Sequence, residues 1–301
     1  MKSDDTHSRP IPPLRASVCS VAIACSALAA AGGCLPRPGP SAPEFALPWG
    51  REVVLEQSDG TTLKAWFRKG RPGGGAVLIL HGLGADHRDM IPRAHALSEA
   101  GYATLLLDFR GHGGSSESET TWGLRESEDA RAALAWLRES SPEERVAVIG
   151  VSMGGAAALL GSEPLEADAI VLESVYPTLD DAIRNRMATW LGPIGAVTAP
   201  IFKHVVAGAR GVSLAALRPI DRVGDVTAPL LVAAGTQDPY TPIGEAWALF
   251  EKAPEGRKQF WSVAGAGHHD LYLSAPSEYL GVVGGFLAKA LRSGPVGPER
   301  R

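Results

Sequence analysis

The stretch Val146-Ala147-Val148-Ile149-Gly150-Val151-Ser152-Met153-Gly154-Gly155 constrains this chain more than any other. Small and apolar residues run into a Gly-x-Ser-x-Gly pattern, and a small-residue helix signal, Gly155 to Leu160, follows at once. A strand driven through so sharp a turn holds its apical residue in a strained backbone conformation. Only glycine fits on either side, because a Cβ would clash where strand and helix nearly touch. The Ser152 hydroxyl then projects above the sheet, and the Met153 amide opens the helix, aimed at negative charge. In a chain with 35 glycines the five-residue pattern alone is weak. Its placement between a strand and a helix gives it weight.

Such a strand needs neighbours, and the chain supplies them. Residues 51–57 and 61–68 alternate apolar and polar around Ser58-Asp59-Gly60, which predicts an antiparallel hairpin. Residues 76–80 are a continuous apolar run expected as a central strand buried on both faces, 102–107 the next buried strand, and 145–150, 169–172, 229–234 and 259–263 further strands. Helices are expected between them, over 90–100, 126–138, 244–252 and 279–291. A hairpin followed by alternating strands and helices predicts an α/β fold with a doubly wound, mostly parallel sheet. Residues 174–228 hold no strand signal, only helix-like pieces (180–191, 200–206, 214–217) broken by Gly and Pro. They read as a helical cap over the carboxyl edge of the sheet, with Ile194, Val197, Ile201, Phe202 and Val205 as its apolar face. A peripheral helical excursion is the alternative.

The three cysteines, Cys19, Cys25 and Cys34, lie in the first 34 residues. Lys2, Arg9 and Arg15 precede an uncharged run over 16–35, the pattern of a signal peptide over 1–33. The run ends in Ala31-Gly32-Gly33-Cys34, which resembles the lipobox of bacterial lipoproteins, where the cysteine is lipidated. Ala31 replaces the usual Leu, and Asp4 and Asp5 are unusual before an export signal. Ordinary cleavage and an uncleaved anchor are the competing readings; each exports the protein or ties it to a membrane. Residues 34–48, Pro-rich, are expected as a linker, 49–293 as the folded domain, and 294–301 as a tail. The chain's formal charge of −4 argues against a nucleic-acid partner.

A serine hydroxyl is a poor nucleophile until a base takes its proton and a third group orients that base. Downstream of Ser152, Gly235-Thr236-Gln237-Asp238 and Gly265-Ala266-Gly267-His268 each follow an expected strand. Ligands and catalysts in such sheets gather at the carboxyl ends of strands. Glu173 is a rival acid one strand earlier, and His269 a rival base. Scattered His87, His95 and His204 give no metal site, and Trp122, Trp136 and Trp190 read as core or lid packing.

At this point the chain resembles the α/β-hydrolase superfamily from about residue 53 to 291, nearest its esterase, acylglycerol-lipase and serine-aminopeptidase-like branches. Leu80-His81-Gly82-Leu83-Gly84 matches the family's strand-end turn. Asp108-Phe109-Arg110-Gly111-His112-Gly113-Gly114-Ser115 matches its D-x-R-G-H-G-x-S loop, and residues 150–155 its nucleophile elbow. The resemblance implies Ser152 as nucleophile, His268 as base and Asp238 as its orienter, with the amides of Leu83 and Met153 as oxyanion hole. It implies structural roles for His81, Asp108, Arg110 and His112, and no cofactor. The expected partner is a small-molecule ester, thioester or other acyl substrate, with the membrane reached through Cys34. A peptidase or amidase of the aminopeptidase or prolyl-oligopeptidase type is the enzymatic alternative. A non-catalytic binding protein on the same scaffold is the other.

Overall fold

The structure, a computed structural model, describes residues 50–268 and 271–292. The expected signal peptide, Cys34, the linker, the tail over 294–301 and His269 lie outside the described residues. No described helix is long and apolar enough to cross a membrane.

Alternation in the first two segments makes β1 (Arg51–Glu56) and β2 (Thr62–Arg68) an antiparallel pair, with Val53, Leu55, Leu63 and Ala65 turned inward. The other expected strands become β3 (Ala76–Leu80), β4 (Ala103–Leu107), β5 (Val146–Val151), β6 (Ala169–Glu173), β7 (Leu230–Gly235) and, at the sheet edge with only Trp261 and Val263 buried, β8 (Lys258–Val263). They complete an eight-stranded sheet in the order β1-β2-β4-β3-β5-β6-β7-β8. β2 pairs antiparallel with β4, and every later pairing is parallel.

Successive side chains of a strand point to opposite faces, so a run buried on both faces feeds two cores. Val77 and Ile79 pack with Met90, Ile91 and Leu97 of α1 (His87–Glu99) and with Val283 and Leu287 near the C-terminus. Ala76, Leu78 and Leu80 face the other way, onto Ala130, Ala133, Leu134 and Leu137 of α2 (Glu126–Ser140). Each such buried aliphatic side chain contributes about 1.5–3 kcal/mol. α1 begins three residues before its periodicity suggests, because Asp86 caps it: its carboxylate accepts from Arg88 N, and Asp89 returns a bond to the Asp86 amide. The closing helix expected over 279–291 is interrupted. A π-type turn over Leu280–Gly284 precedes the final helix, Gly285–Arg292, and Gly281, Gly284 and Gly285 are the weak helix formers at that break.

The crossover from β6 to β7 carries α4 (Leu179–Ala209), two helical halves that meet at a kink just after the expected piece 180–191; α3 (Met153–Leu159) and α5 (Ile243–Lys252) flank it in sequence. Gly192, at φ 59° and ψ −141°, kinks α4. Its first half fixes the neighbouring loops: Asn185 Nδ2 donates to Tyr240 O at 3.1 Å and Thr189 Oγ1 to Pro239 O at 3.4 Å. Beyond α4, Arg210 Nη1 donates to Thr120 O at 3.1 Å. These carbonyls belong to loops that follow β4 and β7, at the carboxyl edge of the sheet. The expected apolar face of this insertion needs correcting. Ile194, Val197 and Ile201 are 71, 77 and 69% exposed and face solvent with Val205. Phe202 alone of the five packs against the core, because the kink re-aims the second half of the helix.

Candidate active site

Ser152 sits where β5 turns into α3, at φ 50° and ψ −111°, a region L-residues rarely occupy. The surrounding backbone enforces it. A Cβ on Gly150 would lie 2.5 Å from Gly155 Cα, and one on Gly154 would lie 2.5 Å from Leu80 O. The Ser152 amide donates to Glu173 O at 2.8 Å, which ties the turn to the end of β6.

Three of the expected site residues meet there. His268 Nε2 lies 3.0 Å from Ser152 Oγ, and His268 Nδ1 lies 2.8 Å from Asp238 Oδ2. All three side chains are nearly buried. Asp238 Oδ1 accepts the amides of Tyr240 and Thr241 at 2.8 and 2.9 Å. Burial pushes the Asp238 pKa up. The hydrogen bond and charge of His268, with the bonds from Thr241, outweigh that and hold the carboxyl below its ordinary value. An ionised carboxylate on Nδ1 selects the tautomer that leaves Nε2 free to accept a proton.

Thr241 was not foreseen. Its hydroxyl lies 2.5 Å from Asp238 Oδ2 and 3.2 Å from both His268 Nδ1 and Ser174 O. The sequence signal was Asp238-Pro239-Tyr240-Thr241, an aspartate starting a turn whose next amides and hydroxyl fold back on its carboxylate.

The amides of Leu83 and Met153 make no hydrogen bond among the described residues. Met153 is the first residue of α3, where the N–H groups have no intrahelical acceptor. Neither amide is therefore committed to another acceptor among the described residues.

Glu173 is engaged elsewhere: Arg93 Nη2 and Nε donate to its Oε2 at 2.9 and 3.1 Å, and the Tyr279 hydroxyl donates to its Oε1 at 2.5 Å. Burial, then the Glu173 charge, pushes the Tyr279 hydroxyl well above its ordinary pKa, so it stays a donor. His81 accepts from Phe109 N through Nε2 at 3.1 Å and donates from Nδ1 to Gly82 O at 2.7 Å. Burial, with the neighbouring His112, pulls its pKa down to about 4, so the ring is a neutral brace for its loop. Arg110 forms a forked pair with buried Asp129. His112 Nε2 accepts from the Gly84 amide at 3.3 Å. Asp108 binds the amides of His87 and Gly114 at 2.7 and 2.8 Å.

His87 is apart from His95 and His204 in this respect: its ligand atoms and those of Asp86 and Asp108 lie within 4.8 Å of one another. Their oxygens already serve protein donors, Arg88 on Asp86 and two amides with the His87 ring on Asp108. Such a set has little left to offer a cation.

A separate cleft of about 750 Å³ is lined by Asp180, Asp181, Arg184, Lys203, Arg218 and Glu245, among others, and by none of Ser152, Asp238 or His268. Its mixed charges make it a poor match for an ester's acyl chain. Asn185 Nδ2 donates to Glu245 Oε1 at 2.7 Å, while buried Oε2 has no partner. Burial raises the Glu245 pKa to about 7 from 4.5. A group whose folded pKa is raised contributes stability fully below its unfolded value and loses it as pH rises through the folded one. Glu245→Gln is therefore expected to match the wild type in Tm near pH 4 and to exceed it by ~2–4 °C at pH 8. Melting curves of both proteins at the two pH values check this; a difference that does not grow with pH would refute it.

Comparison with known proteins agrees with the architecture. The profile of the alpha/beta hydrolase fold family matches residues 75–201. The uncharacterized protein Rv2307c of Mycobacterium tuberculosis is 35% identical over 237 residues, covering 77% of this chain and 77% of that protein. The alpha/beta hydrolase domain-containing protein WAV2 of Arabidopsis thaliana is 27% identical over 246 residues, covering 76% and 75%. Among solved structures, the esterase Pf2001 of Pyrococcus furiosus aligns with a TM-score of 0.68 and 26% identity, over 85% of this chain and 97% of its own. On its sheet order, its strand-turn-helix at Ser152 and these matches, the chain belongs to the alpha/beta hydrolase fold family.

Proposed function

We propose that this protein is a serine hydrolase that cleaves a carboxylic ester or thioester through an acyl-enzyme. The observation that carries the proposal is the continuous relay from Ser152 Oγ to His268 Nε2 at 3.0 Å and from Nδ1 to Asp238 Oδ2 at 2.8 Å. Ser152 Oγ attacks the substrate carbonyl as its proton passes to Nε2. The oxygen, now negative, is received by the amides of Leu83 and Met153. Loss of one such donor raises a barrier by about 3–4 kcal/mol. The C–O or C–S bond then breaks, and the leaving alcohol or thiol takes the proton from Nε2. Water repeats the sequence in reverse: it gives a proton to Nε2, attacks the acyl carbon and releases the acid, and Ser152 recovers its proton. Asp238 stays ionised throughout and balances the transient imidazolium. The structural likeness to a protein named an esterase supports the ester as first substrate.

The test is a fluorophosphonate probe followed by a panel of p-nitrophenyl esters and aminoacyl anilides. Labelling at Ser152 with turnover of short to medium esters is expected. Labelling with anilide turnover alone would move the activity to peptidase chemistry. No labelling would leave a binding protein on a hydrolase scaffold.

A further inference from the structure

Arg93 and Arg110 are buried and have carboxylates, Glu173 and Asp129. Arg186, half-buried on the first half of α4, does not. Its guanidinium lies over the Tyr240 ring, 4.7 Å from the centroid, and 5.6 Å from that of Trp190. Trp190 Nε1 in turn donates to the Tyr240 hydroxyl at 3.3 Å. Arg186 Nε is cut off from solvent and has no hydrogen-bond partner, and no carboxylate pairs with the side chain among the described residues. Burial pulls its pKa below the ordinary arginine value, yet a guanidinium remains a cation at neutral pH.

Its position is what matters. The Tyr240 ring meets the His268 ring at 90°, with centroids 5.3 Å apart, so one aromatic ring separates this cation from the base facing Ser152. Asp238 and the hydroxyls of Tyr176 and Tyr240 are near enough to act on it electrostatically. Tyr176 follows β6, and its hydroxyl donates to Trp122 O at 2.6 Å. Arg186 is therefore a cation held by two aromatic faces beside the reacting centre. Aromatic faces attract a cation but do not neutralise it, and Asp238 acts on it without forming an ion pair, so the guanidinium keeps charge and donors to offer an anion.

We infer that Arg186 is an anion-binding subsite and that the preferred substrate is an ester bearing a carboxylate or phosphate away from the scissile carbonyl. The inference rests on the serine-hydrolase reading and adds a specificity to it. A guanidinium suits either group because its planar fork matches their paired oxygens. The anion occupies the acyl chain or the alcohol, and the two arms of the test separate these.

The first arm compares mono-4-nitrophenyl esters of adipic, suberic and sebacic acids with their methyl-capped, neutral counterparts. The second compares monobutyryl glycerol phosphate with monobutyrin by pH-stat. In at least one arm the wild type is expected to favour the anionic member in kcat/KM, less so in high salt. Arg186→Gln should collapse that ratio by ~10- to 100-fold, mainly through KM. Arg186→Lys, which keeps the charge without the fork, should recover part of it. Two results would overturn the subsite: a wild-type ratio at or below one in both arms, or an equal fall for both members in Arg186→Gln. The wild-type ratio decides the matter even if Arg186→Gln folds poorly. Should the neutral esters also fail to turn over, the esterase reading falls separately. Calorimetry with suberate then decides the subsite, which absence of binding to the wild type would overturn.

Discussion

Ser152→Ala is expected to lower kcat on p-nitrophenyl esters by about 10⁴- to 10⁶-fold, with the fold and the melting temperature nearly unchanged. The size follows from the proposed role: without Oγ no acyl-enzyme can form, and water must attack the carbonyl directly. The amides of Leu83 and Met153 are backbone groups and survive the change, so a residual rate above that in water should persist. In the proposed mechanism Ser152 and His268 act as one unit across their 3.0 Å contact, so the double variant Ser152→Ala/His268→Ala should be no slower than either single. Stopped assays with active-site titration measure this. Retention of more than a tenth of the wild-type rate in Ser152→Ala would mean that another group attacks the carbonyl.

The second large effect lies in stability. Arg93→Met is expected to destabilise the protein by ~3–5 kcal/mol, because it leaves the buried Glu173 carboxylate with the Tyr279 hydroxyl and no cation. Removing both charges should hurt less than removing one, so Arg93→Met/Glu173→Gln should recover a large part of the loss. Urea denaturation, read at the midpoint with an unchanged slope, distinguishes these outcomes. A double variant no more stable than Arg93→Met would show that the loss comes from packing around the arginine stem. The consequence reaches the site through the main chain, since Glu173 O receives the Ser152 amide.

Much of this architecture can be read from local chemistry. The inner parallel strands announce themselves as apolar runs because both their faces are covered, and the turn at Ser152 does so because its glycines are sterically required. The family resemblance favours Asp238 over Glu173, but local sequence by itself does not separate them. Both are acids at or just beyond strand ends, and the choice turns on partners distant in sequence: His268 for one, Arg93 and Tyr279 for the other. Thr241 and Arg186 escaped for the same reason. The turn signal at Asp238 places the Thr241 hydroxyl on the carboxylate but not beside His268, and an arginine on an amphipathic helix carries no mark of what it will face. The insertion misled in another way. An apolar stripe is ordinarily a core face, but the kink at Gly192 decides which side of the helix faces inward, and periodicity does not register a kink.

The insertion is latched to the sheet in part through carbonyl oxygens: that of Tyr240 beneath Asn185 and that of Thr120 beneath Arg210. A peptide carbonyl is the same acceptor whatever side chain accompanies it. At Thr120 the loop can thus drift in sequence without losing this contact, provided its backbone path is kept, whereas Tyr240 is also held by its ring and hydroxyl. Thr120 and Arg210 need not covary, and exchange of this insertion between relatives should depend on the length of that loop more than on its composition.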